Sequence, residues 1–257
     1  MLKLFFIPFL FLSLLLKSCF GFVVLIDPGH GGEELGAIRK IRLKQGQKIV
    51  NKEVYEKDLA LSLAKKVKEK LDPYYTTYLT RSIDRSVGLN ERADMADAVK
   101  ADLFISIHFN SSGEKSSHGF ETYYLDNHAD AAIKKVENVE NKYLQGADKI
   151  VNQILIDLVI QKTVVSSKKL ANLVHGRIKR TAAKTFKMRD RGIKPGLFYV
   201  LALSKRPGIL VEAGFMSHQD EIWTLRKGKF LHQYAQAIAD GVQDYFKGHK
   251  EKELPLF

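Results

Sequence analysis

The sequence predicts an α/β fold, a sheet covered by helices on both faces. Three observations predict it. Short apolar runs of strand length alternate with amphipathic stretches of helix length. The run over 22–26 is continuous and apolar, and 103–109 is apolar but for Ser106 and His108, as in buried strands. The chain has 257 residues, 45% hydrophobic and 27% charged, which suits one globular domain with a real core.

The first 21 residues read as an export leader. Lys3 is positive, Leu4 to Leu16 is almost wholly apolar, and Cys19-Phe20-Gly21 offers small residues two apart for cleavage. The apolar run is short for a membrane span. Two other readings of this segment are a retained anchor and lipidation at Cys19, against which Lys17 is a poor fit. Cys19 is the only cysteine, so cleavage after Gly21 leaves neither a disulfide nor a thiol nucleophile.

Phe22 to Ile26 reads as a strand stopped at Asp27-Pro28-Gly29. Residues 39–52 are basic and polar and are expected to form a loop. Tyr55 to Leu71 carries Leu59, Ala60, Leu63, Ala64, Val67 and Leu71 at helical spacing, and Asp72-Pro73 ends that helix. A strand follows over Tyr74 to Thr80, then a helix over Leu89 to Val99. Strands are expected over Leu103 to Phe109 and Phe120 to Leu125. Residues 129–160 form a helical insertion broken near Gly146, with Asp148 as an N-cap. A separate helix over Ser167 to Thr185 is expected, capped by Ser166 or Ser167. Leu197 to Leu201 and Gly208 to Val211 read as short strands, and Phe230 to Phe246 as the last helix. No repeat and no linker divides the chain.

The net charge is +12, or +10 once Lys3 and Lys17 leave with the leader. A basic exported protein is drawn weakly to anionic wall polymers or lipid headgroups. A solvated lysine-rich surface explains the same charge. Nucleic acid is not an expected partner, because no recognition motif is present. A monomer is expected.

Chemistry-bearing residues gather at strand ends, where sites of open α/β sheets lie. His30 follows the first strand in Asp27-Pro28-Gly29-His30-Gly31-Gly32, His108 ends another, and Glu212 ends Ile209-Leu210-Val211-Glu212. Each histidine taken alone is more often structural than metal-binding. Of the nearby carboxylates, Glu56 points toward the packed face of its helix and can reach a metal beside the sheet. Glu53 reads as solvated, and Glu33 would need a rigid chelate through two glycines. Glu212 reads equally as a helix N-terminal charge or a catalytic acid/base. No Gly-x-Ser-x-Gly elbow suggests a serine hydrolase.

Taken together, five segments resemble the zinc-dependent N-acetylmuramoyl-L-alanine amidases of the type-3 family. They are Ile26 to Gly32, Glu56 to Leu61, Thr80-Arg81, Leu103 to Asn110 and Leu210 to Phe215, in the family's order. Asp97 and His218 depart from its pattern, each standing where the family often has Asn. The resemblance implies a mixed, mostly parallel sheet and a Zn2+ ion on His30, Glu56 and His108. It makes Glu212 the catalytic acid/base and peptidoglycan the substrate. Rival readings are a zinc peptidase acting on wall peptides and a non-catalytic wall-binding protein. In some Gram-negative relatives a helix at the place of 129–160 covers the zinc until a LytM-like activator removes it. Glu137 and Glu140 would then be the blocking ligands and Gly146 the hinge. The regular apolar stripe of the segment favours instead a permanently packed helix pair.

Overall fold

The computed structural model describes residues 21–142 and 148–247, and for 148–154 the backbone alone. The leader up to Phe20, with Cys19, lies outside the described residues, as does Gly146. In chain order the elements are β1 (Val23–Pro28), β2 (Ile38–Gln45), β3 (Lys48–Tyr55), α1 (Glu56–Leu71), β4 (Thr76–Leu79), α2 (Leu89–Ala98), β5 (Leu103–Asn110) and β6 (Phe120–Leu125). There follow α3 (Ala131–Glu140), α4 (Asp148–Phe186), β7 (Asp190–Gly196), α5 (Tyr199–Ser204), β8 (Gly208–Phe215), α6 (Glu221–Leu225) and α7 (Gly228–Phe246).

Six strands pair in the order β4-β1-β5-β8-β6-β7. All neighbours run parallel except β6 and β8, which are antiparallel, so the sheet is mixed and mostly parallel. Successive side chains leave a strand on opposite faces. Val24, Ile26, Ile105 and Ile107 therefore enter the core beneath α1, α7 and the second half of α4. Leu25 and Phe104 enter a second core with side chains of α2, α3, α5 and the described early part of α4. Both faces are covered, so the central strands β5 and β8 bury side chains on both sides. No helix among the described residues is long and apolar enough to cross a membrane.

The structure corrects the expected course of the chain at three places. Residues 39–52 are not a loop: β2 and β3 form an antiparallel hairpin with its turn at Gly46, whose φ is +63°. Lys and Arg hid the strand alternation, because only Ile41 and Val54 are buried there. No helix begins at Ser166 or Ser167, since α4 runs unbroken for 39 residues. Ser167 is buried and its hydroxyl accepts from Gly208 N at 3.1 Å, serving the start of β8 rather than a helix end. Leu197 to Leu201 is not a strand: Leu201 N and Ala202 N both return to Phe198 O and start α5. A short apolar run does not by itself separate strand from helix.

Candidate metal centre

Four side chains converge at the carboxyl ends of β1 and β5. His30 comes from the loop after β1, Glu56 from the first residue of α1, His108 from β5 and Glu140 from the last residue of α3. One ligand atom from each lies within 4.8 Å of every other. His30 Nε2 stands 3.1 Å from Glu56 Oε1 and 3.6 Å from Glu140 Oε2. His108 Nδ1 stands 3.2 Å from Glu56 Oε1 and 2.9 Å from Glu140 Oε2.

The local sequence holds these groups in place. Asp27 is buried and accepts from Thr80 Oγ1 at 2.7 Å and Ser106 Oγ at 2.8 Å. It also pairs with the Arg92 guanidinium. Burial alone would raise its carboxyl, but Arg92 and these hydrogen bonds outweigh it and hold it below the usual range. Arg92 then donates to His30 O at 2.9 Å, and Arg81 to Gly29 O at 2.8 Å. The clamp keeps His30 at a φ of +58°, unusual for a residue with a Cβ. Gly29 is a close approach: a Cβ there would lie 2.3 Å from the His108 ring. Glu56 is fixed through both oxygens, Oε2 by Ala37 N at 2.8 Å and Oε1 by Phe109 N at 3.0 Å.

The charges suit a cation at the centre. Burial disfavours a charged His108, yet the facing carboxylates, Glu140 foremost, push it well above the usual value. Burial also opposes a charged His30, and Glu56 outweighs it. Glu56 is held down by the two histidines against its own burial. His30 Nε2 is buried and makes no hydrogen bond despite its short distance to Glu56, so these atoms are not aimed at each other. Two imidazoles and two carboxylates form a set that can bind a metal such as zinc.

Glu212 lies beside this cluster. It pairs in register with His108 on one side and with Glu121 on the other. It is buried, and neither carboxylate oxygen has a hydrogen-bond partner. Burial first, and then the charge of Glu140, pushes its carboxyl well above the ordinary range. Its neighbour Glu121 is matched by Arg191 at 2.6 Å, by Lys194 and by the Tyr123 hydroxyl at 2.8 Å. A cleft runs from the cluster between Gly36, Asn110, Tyr123, Val139, Arg191 and Lys194.

A family model described as N-acetylmuramoyl-L-alanine amidase, Amidase_3, matches residues 24–244. The chain belongs to this amidase family. It is 32% identical over 246 residues to AmiA of Escherichia coli, covering 90% of this chain and 80% of that protein. It is 31% identical over 228 residues to LytC of Bacillus subtilis, covering 88% of this chain but only 36% of LytC. A solved amidase from Clostridium difficile 630 superposes with a TM-score of 0.63 at 29% identity, covering 90% of this chain and 99% of that one. The amidase fold is thus the fold expected from the sequence.

Of the residues singled out in the sequence, the amidase brings His30, Glu56 and His108 together and sets Glu212 next to them. Glu33 and Glu53 are exposed and stand apart. Glu140 joins the cluster, whereas Glu137 does not. Glu137 pairs with His128 and accepts from Leu197 N at 2.5 Å. Asp97, one of the departures from the family pattern, binds Arg206 at 2.7 Å and Lys205 at 3.1 Å at the end of α5. Sequence reasoning missed the Asp27–Arg92 clamp and the role of Glu121, because their partners lie 65 and 70 residues away along the chain.

Proposed function

We propose that this chain hydrolyses the amide between N-acetylmuramic acid and L-alanine in peptidoglycan, for wall remodelling or daughter-cell separation. In this reading His30, Glu56 and His108 hold a zinc ion, and Glu212 is the general acid/base. The observation that carries it is an unpartnered, buried carboxylate set in register beside His108 of a four-ligand cluster. When bound, zinc supplies Lewis-acid polarisation of the scissile carbonyl and of the attacking water. Glu212 takes the proton from that water as it attacks the carbonyl carbon. The C–N bond then breaks, and Glu212 delivers the proton to the departing alanine nitrogen. Glu212 must be ionised to accept the first proton, and a cation on the neighbouring ligands would favour that form.

Digestion of purified muropeptides tests the bond cut. Free stem peptides and peptide-free glycan are expected, and a chelator is expected to abolish them. Cleavage within the stem peptide would assign a peptidase instead.

Glu140 supports a regulated site. In this reading its carboxylate, 2.9 Å from His108 Nδ1 and 3.6 Å from His30 Nε2, takes a ligand position that a substrate carbonyl or water would otherwise use. In this reading α3 blocks the enzyme until a partner, for which a LytM-like activator is the candidate, draws it away. The helix is fastened: Asp130 caps it through Ala132 N at 2.7 Å, and Asn141 binds Leu197 O at 2.7 Å and Tyr199 N at 2.9 Å. Displacement therefore requires a partner that binds the open state better than the closed one.

Export follows from the same reading, since the substrate lies outside the cytoplasm. The mature protein is expected to begin near Phe22. Amino-terminal sequencing of the exported form checks this, and a retained Met1 or a lipid on Cys19 would refute it.

A further inference from the structure

The β2–β3 hairpin takes no part in the site described above. It leaves the fold at Ala37 and returns at Glu56, and its packing is confined to its base. Ile41 and Val54 are buried and Leu43 packs partly against the same core. Past Leu43 the described side chains are exposed on both strands. Six cations, Arg39, Lys40, Arg42, Lys44, Lys48 and Lys52, face a single acid, Glu53. Lys40 lies 3.4 Å from Glu53; the other five make no ion pair among the described residues.

The tip is also apolar. Ile49 is 70% exposed and Val50 42% exposed. Being consecutive in a strand, they leave the hairpin on opposite faces. A groove on a protein partner would cover one face and leave the other aliphatic in water. A glycan is bound by aromatic and hydrogen-bonding surfaces, and residues 43–51 contain no aromatic side chain. An apolar medium bounded by negative charge takes both faces at once. Lys44, opposite Ile49, and Lys48 have stems long enough to return their ammonium groups to such a boundary.

We propose that the hairpin is a docking arm for an anionic phospholipid surface. Ile49 and Val50 enter the interface, and the surrounding lysines and arginines bind the headgroups. The proposal is independent of the amidase reading. It has a consequence for the site, because β3 runs directly into Glu56, and Ala37 at the root of the arm holds Glu56 Oε2. Only Lys44 and Gln45 of β2 lie past Leu43, about 7 Å at about 3.3 Å each, so docking would hold the cleft close to the lipid.

The test is co-sedimentation of residues 22–257 with vesicles. This stretch is the expected mature chain and contains the whole region matched by the family model, residues 24–244. Vesicles of phosphatidylcholine with about one-third phosphatidylglycerol are expected to bind the protein at least about tenfold more tightly than phosphatidylcholine alone. Ile49→Ser with Val50→Ser, and separately Lys44→Glu with Lys48→Glu, are each expected to weaken that binding about tenfold or more. Unchanged thermal melting of both variants would show that the fold is intact, as their exposure predicts. Equal binding to neutral and anionic vesicles, or an aliphatic variant that binds like the parent, overturns the proposal. So does pelleting with purified wall polymer that depends on Lys44 and Lys48 but not on Ile49, in the absence of vesicle binding.

Discussion

Replacing Glu212 by Gln is expected to lower turnover by about 100- to 10,000-fold while the bound zinc stays. The substitution keeps shape and volume, so the packing of this buried side chain is preserved. It removes the one function proposed for the residue, carrying a proton from water to the leaving nitrogen. Folding should change little, because neither Glu212 oxygen has a hydrogen-bond partner to lose. Glu56→Ala makes the contrast. It removes a carboxylate that both histidines face, so metal and activity are expected to fall together. Metal analysis beside single-turnover assays of the two variants separates the roles. A loss of less than about tenfold in Glu212→Gln would be incompatible with general acid–base catalysis there. Full zinc occupancy in Glu56→Ala would remove Glu56 from the ligand set.

Three of the residues proposed for the site were legible because each lies at or near the place where an apolar pattern stops. His30 follows a buried run and turns at a diglycine, His108 ends a second run, and Glu212 lies within the third near its end. Glu56 was legible through the periodicity of α1, whose stripe of Leu59, Ala60, Leu63 and Val67 fixes the face on which its first residue points. Other features left weaker traces. β7 carries Gly192 and Pro195 within seven residues, which reads as a loop, and it survives as a strand because it lies at the sheet edge. The break expected near Ser167 came from two small polar residues that tertiary contacts absorb. Helix α4 passes from the second core, at Ile156 and Val159, to the first, at Leu170 and Val174. A pattern that changes face in this way resembles two helices when read along the chain. The clamp of Asp27 by Arg92 had no local signature, since it joins a strand end to a helix 65 residues on.

Substituting Glu140 by Ala is expected to raise the activity of the purified enzyme, by about tenfold or more, without loss of zinc. The apolar stripe of residues 129–160 favoured a permanently packed helix pair, and Ile133 does pack into the second core. Packing alone does not account for Glu140. An acid at the last turn of a helix opposes the helix dipole, and solvent would be the cheaper place for it. Instead its Oε2 is turned inward, 2.9 Å from His108 Nδ1 and 3.6 Å from His30 Nε2. Its companion Glu137 is spent on His128 and Leu197, which anchor the helix rather than the ion. The two acids thus divide the work proposed for the segment, one fastening it and one closing the site. A closed state favoured by about 99 to 1 would leave the open enzyme at roughly one part in a hundred. Removing the blocking carboxylate would then recover much of that factor, while His30, Glu56 and His108 still hold the metal. Glu137→Ala should act more weakly, because it loosens the helix without removing the fourth ligand. A Glu140→Ala enzyme that binds zinc and is no faster than the parent would make α3 a structural element. Loss of zinc in that variant would make Glu140 a permanent ligand, and the activator would lose its target.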